Sequence, residues 1–247
     1  MTDLHLNRLD VPSRKSILER VKELDHLLIS GDISSGTHIF SDLSSISSLG
    51  INVHYVLGNH DYYWRSFAST RRSLAYLPTW MNYLTNSDPV ALTASTVLIG
   101  ADGWYDARVI LPLTNLVFSI DWLMIGDFWE EGSYKEKLAL SRELAWESRE
   151  RIIKKLRQCV DNYERVIIVT HFPPWRQKHR TSIQDRFWTP YNTNHYLGES
   201  IQIVSSSSPK TKIMVLAGHT HIERSMKITD SITCRIGTDR KLLGVTV

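Results

Sequence analysis

Four apolar runs in this chain stop abruptly at short clusters of Gly, Asn, His and Asp. Leu-Leu-Ile-Ser is followed by Gly31-Asp32, and Val-His-Tyr-Val-Leu by Gly58-Asn59-His60-Asp61. Val-Ile-Ile-Val-Thr is followed by His171, and Ile-Met-Val-Leu-Ala by Gly218-His219-Thr220-His221. Short continuous apolar runs bounded by turn residues are the pattern of strands buried on both faces. Between them the period becomes helical. Residues 12–26 place Ile17, Val21 and Leu24 on one face with Ser13 as cap, residues 37–49 end at Gly50, and residues 133–160 are rich in Glu, Lys and Arg. Residues 90–93, 96–99, 232–236 and 242–247 read as further strands, and Ser205 to Ser208 before Pro209 as a loop. Strands alternating with helices predict an α/β fold. The close spacing of the late strands predicts some antiparallel pairing.

The chain has 247 residues, with 29 Lys and Arg against 26 Asp and Glu, a formal charge of +3. That imbalance is too small to argue for nucleic-acid binding. No apolar run approaches the ~20 residues that cross a bilayer, and the first residues do not form a basic segment followed by an apolar one. Two cysteines, Cys159 and Cys234, cannot build a disulfide framework and read as inert thiols. A single domain over residues 1–247 in the cytoplasm is expected, with no membrane partner and the oligomeric state left open.

In open α/β sheets, ligands bind just beyond the carboxyl ends of the strands. Four such ends in one sheet bring Asp32, Asn59, His60, His171, His219 and His221 together, and Asp3 and His5 form a fifth cluster at the start. Carboxylates, imidazoles and a carboxamide without a thiolate suit Mn²⁺, Fe²⁺, Zn²⁺ or Co²⁺. Setting His60 aside, seven donors exceed one tetrahedral site and suit two metals sharing a carboxylate, the clamp for in-line displacement at phosphorus.

Asp3-x-His5, Gly31-Asp32, Gly58-Asn59-His60-Asp61, His171 and Gly218-His219-x-His221 resemble, in order, the five motifs of the calcineurin-like metallophosphoesterases. A lone Gly-His-x-His recurs by chance in roughly three of a hundred chains of this length, so order and register behind strands carry the signal. The resemblance implies a mixed two-sheet sandwich flanked by helices, with a dimetal site at one edge. It puts Asp3, His5, Asp32 and His221 on one metal and Asp32, Asn59, His171 and His219 on the other, Asp32 bridging. It implies that a bridging hydroxide attacks phosphorus, that His60 faces the substrate, and that Asp61 orients His60 and raises its pKa. Mn is the favoured metal. Motif two lacks a frequent second acid, since Ser34-Ser35 stands where Gly-Asp-x-x-Asp would end. Only Met1 and Thr2 precede the first Asp, so the first central strand is expected to be a stub.

Aromatic and cationic residues follow the motifs, and Arg65 and Arg176 are the substrate-binding candidates. His26, His38, His54, His179 and His195 read as ordinary polar residues, with the cleft as the alternative for His195. The basic run 149–157 reads as a solvated helix face. Hydrolysis of a small phosphodiester or phosphomonoester, a nucleotide among them, is the leading expectation. A nuclease of the same fold and a non-catalytic protein-binding scaffold are the alternatives.

Overall fold

A computed structural model of the chain describes residues 1–108, 119–176 and 189–245. Nine strands lie among them: β1 His26–Ser30, β2 Asn52–Val56, β3 Met81–Tyr83, β4 Val90–Ala91, β5 Thr96–Gly100, β6 Arg165–Val169, β7 Lys212–Ala217, β8 Arg224–Lys227 and β9 Ile232–Ile236. The α-helices are α1 Val11–Val21, α2 Ile39–Ser47, α3 Phe67–Ser73, α4 Asp121–Met124, α5 Tyr134–Cys159 and, numbered on from these, α6 His195–Ser207. One sheet has the order β1-β2-β3, and the other β4-β5-β6-β7-β9-β8. The first is parallel throughout, whereas β4 and β8 join the second antiparallel.

Period-two burial makes the layers. Val166 and Ile168 of β6, with Ile213 and Val215 of β7, pack against Ile152, Leu156 and Ile201 of α5 and α6. Their neighbours Ile167, Val169 and Leu216 turn the other way, onto Val56 of β2 and Leu28 of β1. Leu27 and Ile29 then face Ile17, Ile39 and Leu43 of α1 and α2. Both sheets are therefore covered twice, which is why these strands read as unbroken apolar runs. Helices on both outer faces of a two-sheet sandwich are the architecture that results.

The four motif-bearing strands divide between the sheets rather than sharing one. Ser30 of β1 is level with Val56 of β2, and Val169 of β6 is level with Leu216 of β7. All four polar clusters thus leave at one edge of the sandwich. The opening residues form no strand, yet their backbone is paired: Ser30 N donates to Met1 O at 2.9 Å, Asp3 N to Gly31 O at 3.1 Å and His5 N to Asp32 O at 3.0 Å. Asp3 and His5 are carried alongside Asp32 by these backbone bonds.

Several sequence expectations need correction. Asp10, not Ser13, caps α1, because its carboxylate accepts from Ser13 N. That helix stops at Val21, and His26 already belongs to β1. The serines at 205–207 continue α6, where Val204 and Ser205 are buried, instead of forming a loop. Residues 242–245 form no strand, and 246–247 lie outside the described residues.

Candidate metal centre

The turns after the strands bend sharply, and five of the seven candidate donor residues take left-handed backbone. Asp3, His5, Asp32, His219 and His221 have φ between 44° and 68°. Such conformations are uncommon outside glycine and cluster where the surroundings over-determine them. Gly58 is required for a different reason. A Cβ there would lie 2.2 Å from Asp32 Oδ1 and 2.7 Å from His171 Nε2, so only glycine lets these two side chains converge.

Two groups of donor atoms result. In the first, ligand atoms of Asp3, His5, Asp32 and His221 all lie within 4.8 Å of one another. In the second, Asn59 Oδ1 is 3.1 Å from His171 Nε2 and 3.2 Å from His219 Nδ1. Asp32 stands between them. Its Oδ1 is 3.4 Å from His171 Nε2, while its Oδ2 is 3.8 Å from His5 Nε2.

The outer atoms of each side chain decide what the inner atoms can be. His171 Nδ1 is 2.7 Å from Ser30 O, so this nitrogen donates and Nε2 keeps its lone pair. His219 Nε2 is 3.2 Å from Tyr191 O and 3.1 Å from Asn192 Oδ1, which leaves the lone pair on Nδ1. The Asn59 amide donates to Asp121 Oδ1 at 2.8 Å, turning its carbonyl oxygen inward. Three acceptors therefore meet with no proton among them. A cation between them resolves that arrangement. In the first group, both His5 nitrogens and Asp32 Oδ2 are buried without a hydrogen-bond partner. Buried polar atoms are rarely left so, and a second cation satisfies them. The donor set fits two divalent ions.

The electrostatics agree. Burial pushes His5 down to about 3, with Arg8 and His221 adding to it. Burial also lowers His171 and, further, His219. These imidazoles are neutral, the form that ligates metal. Burial first, then the nearby Asp3 carboxylate, raises Asp32 well above the carboxylate range. The protein alone does not compensate the buried Asp32 carboxylate.

His60 reaches this edge, with Nε2 3.8 Å from Asp32 Oδ2 and its ring 4.3 Å from that of Tyr63. Burial, then His5 and Arg8, lower its pKa to about 2. The expected Asp61–His60 pair is not formed. The Asp61 carboxylate accepts from Ser34 N and Gly58 N, both at 2.8 Å, and so clamps two ligand-bearing turns together. Arg8 Nη2 takes its place at His60, 3.1 Å from Nδ1. Arg65 is also elsewhere, because its guanidinium donates to Ser69 O on α3. Arg176 is exposed at the border of the undescribed segment 177–188, which contains His179. His195 pairs with Asp106 at 3.2 Å.

Three residues at the site escaped sequence reasoning. Asp121 and Arg8 carry no motif. Asp239, which bonds His221 Nδ1, does: it follows β9 in Ile-Thr-Cys-Arg-Ile-Gly-Thr-Asp, an alternating strand closed, like β1, by Gly and an acid.

No curated protein sequence matches the chain. The calcineurin-like phosphoesterase family matches it over residues 1–223. Among solved structures, a dimetal phosphatase from Danio rerio is similar over 92% of this chain and 76% of its own, with a TM-score of 0.55 and 17% identity. TT1561 of Thermus thermophilus covers 92% of this chain and 84% of its own, at 0.53 and 12%. GAP50, the anchor in the inner membrane complex of Plasmodium, covers 98% and 71%, at 0.53 and 10%. At these identities the likeness is one of fold.

Proposed function

This chain belongs to the calcineurin-like phosphoesterase family, and from that membership we propose that it hydrolyses a small phosphoric ester with two divalent metal ions. The observation that carries the reading is the position of Asp32, one oxygen facing each donor group. Asp3, His5, Asp32 and His221 would hold one ion, and Asp32, Asn59, His171 and His219 the other. Ions held there supply Lewis acidity toward phosphoryl oxygens and the nucleophile for in-line displacement. Among the ions this mixed nitrogen and oxygen set suits, Mn²⁺ is the one to test first.

The chain's own residues do the rest. Asp3 and Asp32 are the only carboxylates among the seven donor residues, too few to neutralise two divalent ions, so a loaded site attracts phosphate. His60 presents Nε2 toward the same edge and can donate a hydrogen bond to a phosphoryl or leaving oxygen. A recess of about 420 Å³ opens beside it, lined by Arg8, Ser35, His38, Tyr63 and Trp64 among others. That volume suits a small phosphodiester or phosphomonoester, nucleotides included.

The test is a substrate panel on chelator-stripped protein reloaded with Mn²⁺. It comprises model mono- and diesters, cyclic nucleotides, nucleotide anhydrides and single-stranded DNA. Expected is Mn²⁺-dependent hydrolysis of a small ester, reduced roughly 10²–10⁴-fold in His60→Ala with metal content intact. Cleavage of DNA alone would make the protein a nuclease. No turnover by fully loaded protein would leave a protein-binding scaffold.

A further inference from the structure

We propose that Arg8 is a positioning and specificity residue of this site, holding His60 as the Nε2–H tautomer and pairing with the substrate's phosphoryl group. The substrate half of the proposal rests on the phosphoesterase reading, whereas the tautomer half does not.

Leu6–Arg8 is a single 3-10 turn directly after Asp3-x-His5, closed by Arg8 N donating to His5 O at 2.9 Å. The same turn that delivers His5 to the donor cluster therefore delivers Arg8 to its rim. The His60 turn, His60–Tyr62, is tied to the opposite side of that cluster by His60 N donating to Asp32 Oδ1 at 3.0 Å. Both ends of the Arg8–His60 contact are fixed by backbone that also places candidate ligands.

A guanidinium has donors and no acceptor. Arg8 Nη2 lies 3.1 Å from His60 Nδ1, so Nδ1 must accept, and the ring proton of neutral His60 sits on Nε2. That nitrogen faces the donor cluster. The contact thereby selects which way His60 offers its proton, a task the expected Asp61 carboxylate would have done in reverse, by accepting from Nδ1.

Arg8 is exposed, it lines the recess beside His60, and no carboxylate pairs with it among the described residues. One N–H goes to His60, and the remaining donors form the planar fork that matches two oxygens of a phosphate. An anion drawn to the metal edge would meet that fork from the recess side.

The experiment compares wild type with Arg8→Leu, Arg8→Lys and, as a control for loss of charge, Arg20→Leu on the exposed side of α1. Long-range ¹H–¹⁵N spectra of the metal-free protein read the His60 tautomer directly. Calorimetry of the Mn²⁺-loaded protein then gives its affinity for inorganic phosphate, and a separate titration its affinity for Mn²⁺. Wild type and Arg20→Leu should show the Nε2–H form. Arg8→Leu should lose that preference and bind phosphate ~10-fold or more weakly, as for loss of a charge-assisted hydrogen bond. Mn²⁺ affinity should be unchanged, and Arg8→Lys should recover part of both losses. Wild-type tautomer and wild-type phosphate affinity in Arg8→Leu would overturn the proposal, and so would a change in only one of them. A parallel fall in Mn²⁺ affinity would also overturn it, since Arg8 would then be a structural residue of the turn. Failure of every substrate in the hydrolysis panel would refute the phosphoesterase reading while leaving the tautomer and phosphate-affinity measurements together to judge Arg8.

Discussion

At the scale of single residues, the site is governed by what stands behind the donors. Ser30 O, Tyr191 O and Asp121 each hold the outer atom of an inward-facing side chain, and Asp239 does the same for His221. His221 is the most exposed of the candidate donors, 43% open at its side chain, so it depends most on such a partner. Removing an outer partner typically lowers metal affinity by about one to two orders of magnitude. Asp239→Ala should accordingly weaken Mn²⁺ at the Asp3–His5–His221 position by about that much, while the ion at Asn59, His171 and His219 stays bound. A Mn²⁺ titration should resolve two steps in the variant, only one of them displaced. Two unshifted steps would mean that Asp239 merely accompanies His221.

At the scale of elements, the pairing of β1 with β2 buries a titratable contact away from the site. His54 is buried on β2, with Nε2 3.0 Å from His26 Nδ1 on β1. Burial first, then His26, pushes His54 from 6.5 down to about 4. The folded chain thus binds fewer protons than the unfolded one between these values, and protonation favours unfolding. Stability from this contact is complete above pH 6.5 and lost as pH falls toward 4. A shift of this size corresponds to about 3 kcal/mol. Urea unfolding in chelator across this range should show a steeper loss for wild type than for His54→Gln. Parallel pH dependences would assign the loss to the carboxylates instead. The other decisive element feature is Asp102, beyond β5, which accepts from Leu57 N at 2.8 Å while its carbonyl accepts from His171 N at 2.9 Å. One residue thereby sets the Asn59 turn of the first sheet against the His171 turn of the second.

For the molecule as a whole, these ties mean that metal binding is linked to folding. The donors come from turns of both sheets and from the opening residues, so an unfolded chain cannot assemble them. Mn²⁺ at a hundred times its dissociation constant should add about 2.7 kcal/mol, which for a chain of this size raises the melting temperature by roughly 5–10 °C. Asp32→Asn should abolish that rise, because Asp32 belongs to both donor groups. Equal shifts in wild type and variant would show that the ion binds elsewhere. How much of this was legible beforehand follows from where the information lies. Apolar runs closed by Gly-Asp, Gly-Asn-His, His and Gly-His-x-His determined the α/β class, the common edge and the candidate donors, since burial on both faces and turn chemistry are local properties of the chain. Local pattern could not determine which side chain would lie behind each donor. Asp61 follows His60 in sequence, yet the 3-10 turn that holds both sends its carboxylate to Gly58 and Ser34. Arg8, Asp121 and Asp239 come from distant segments. Their positions depend on two sheets stacking with their strand ends level, a long-range packing outcome that no window of residues contains.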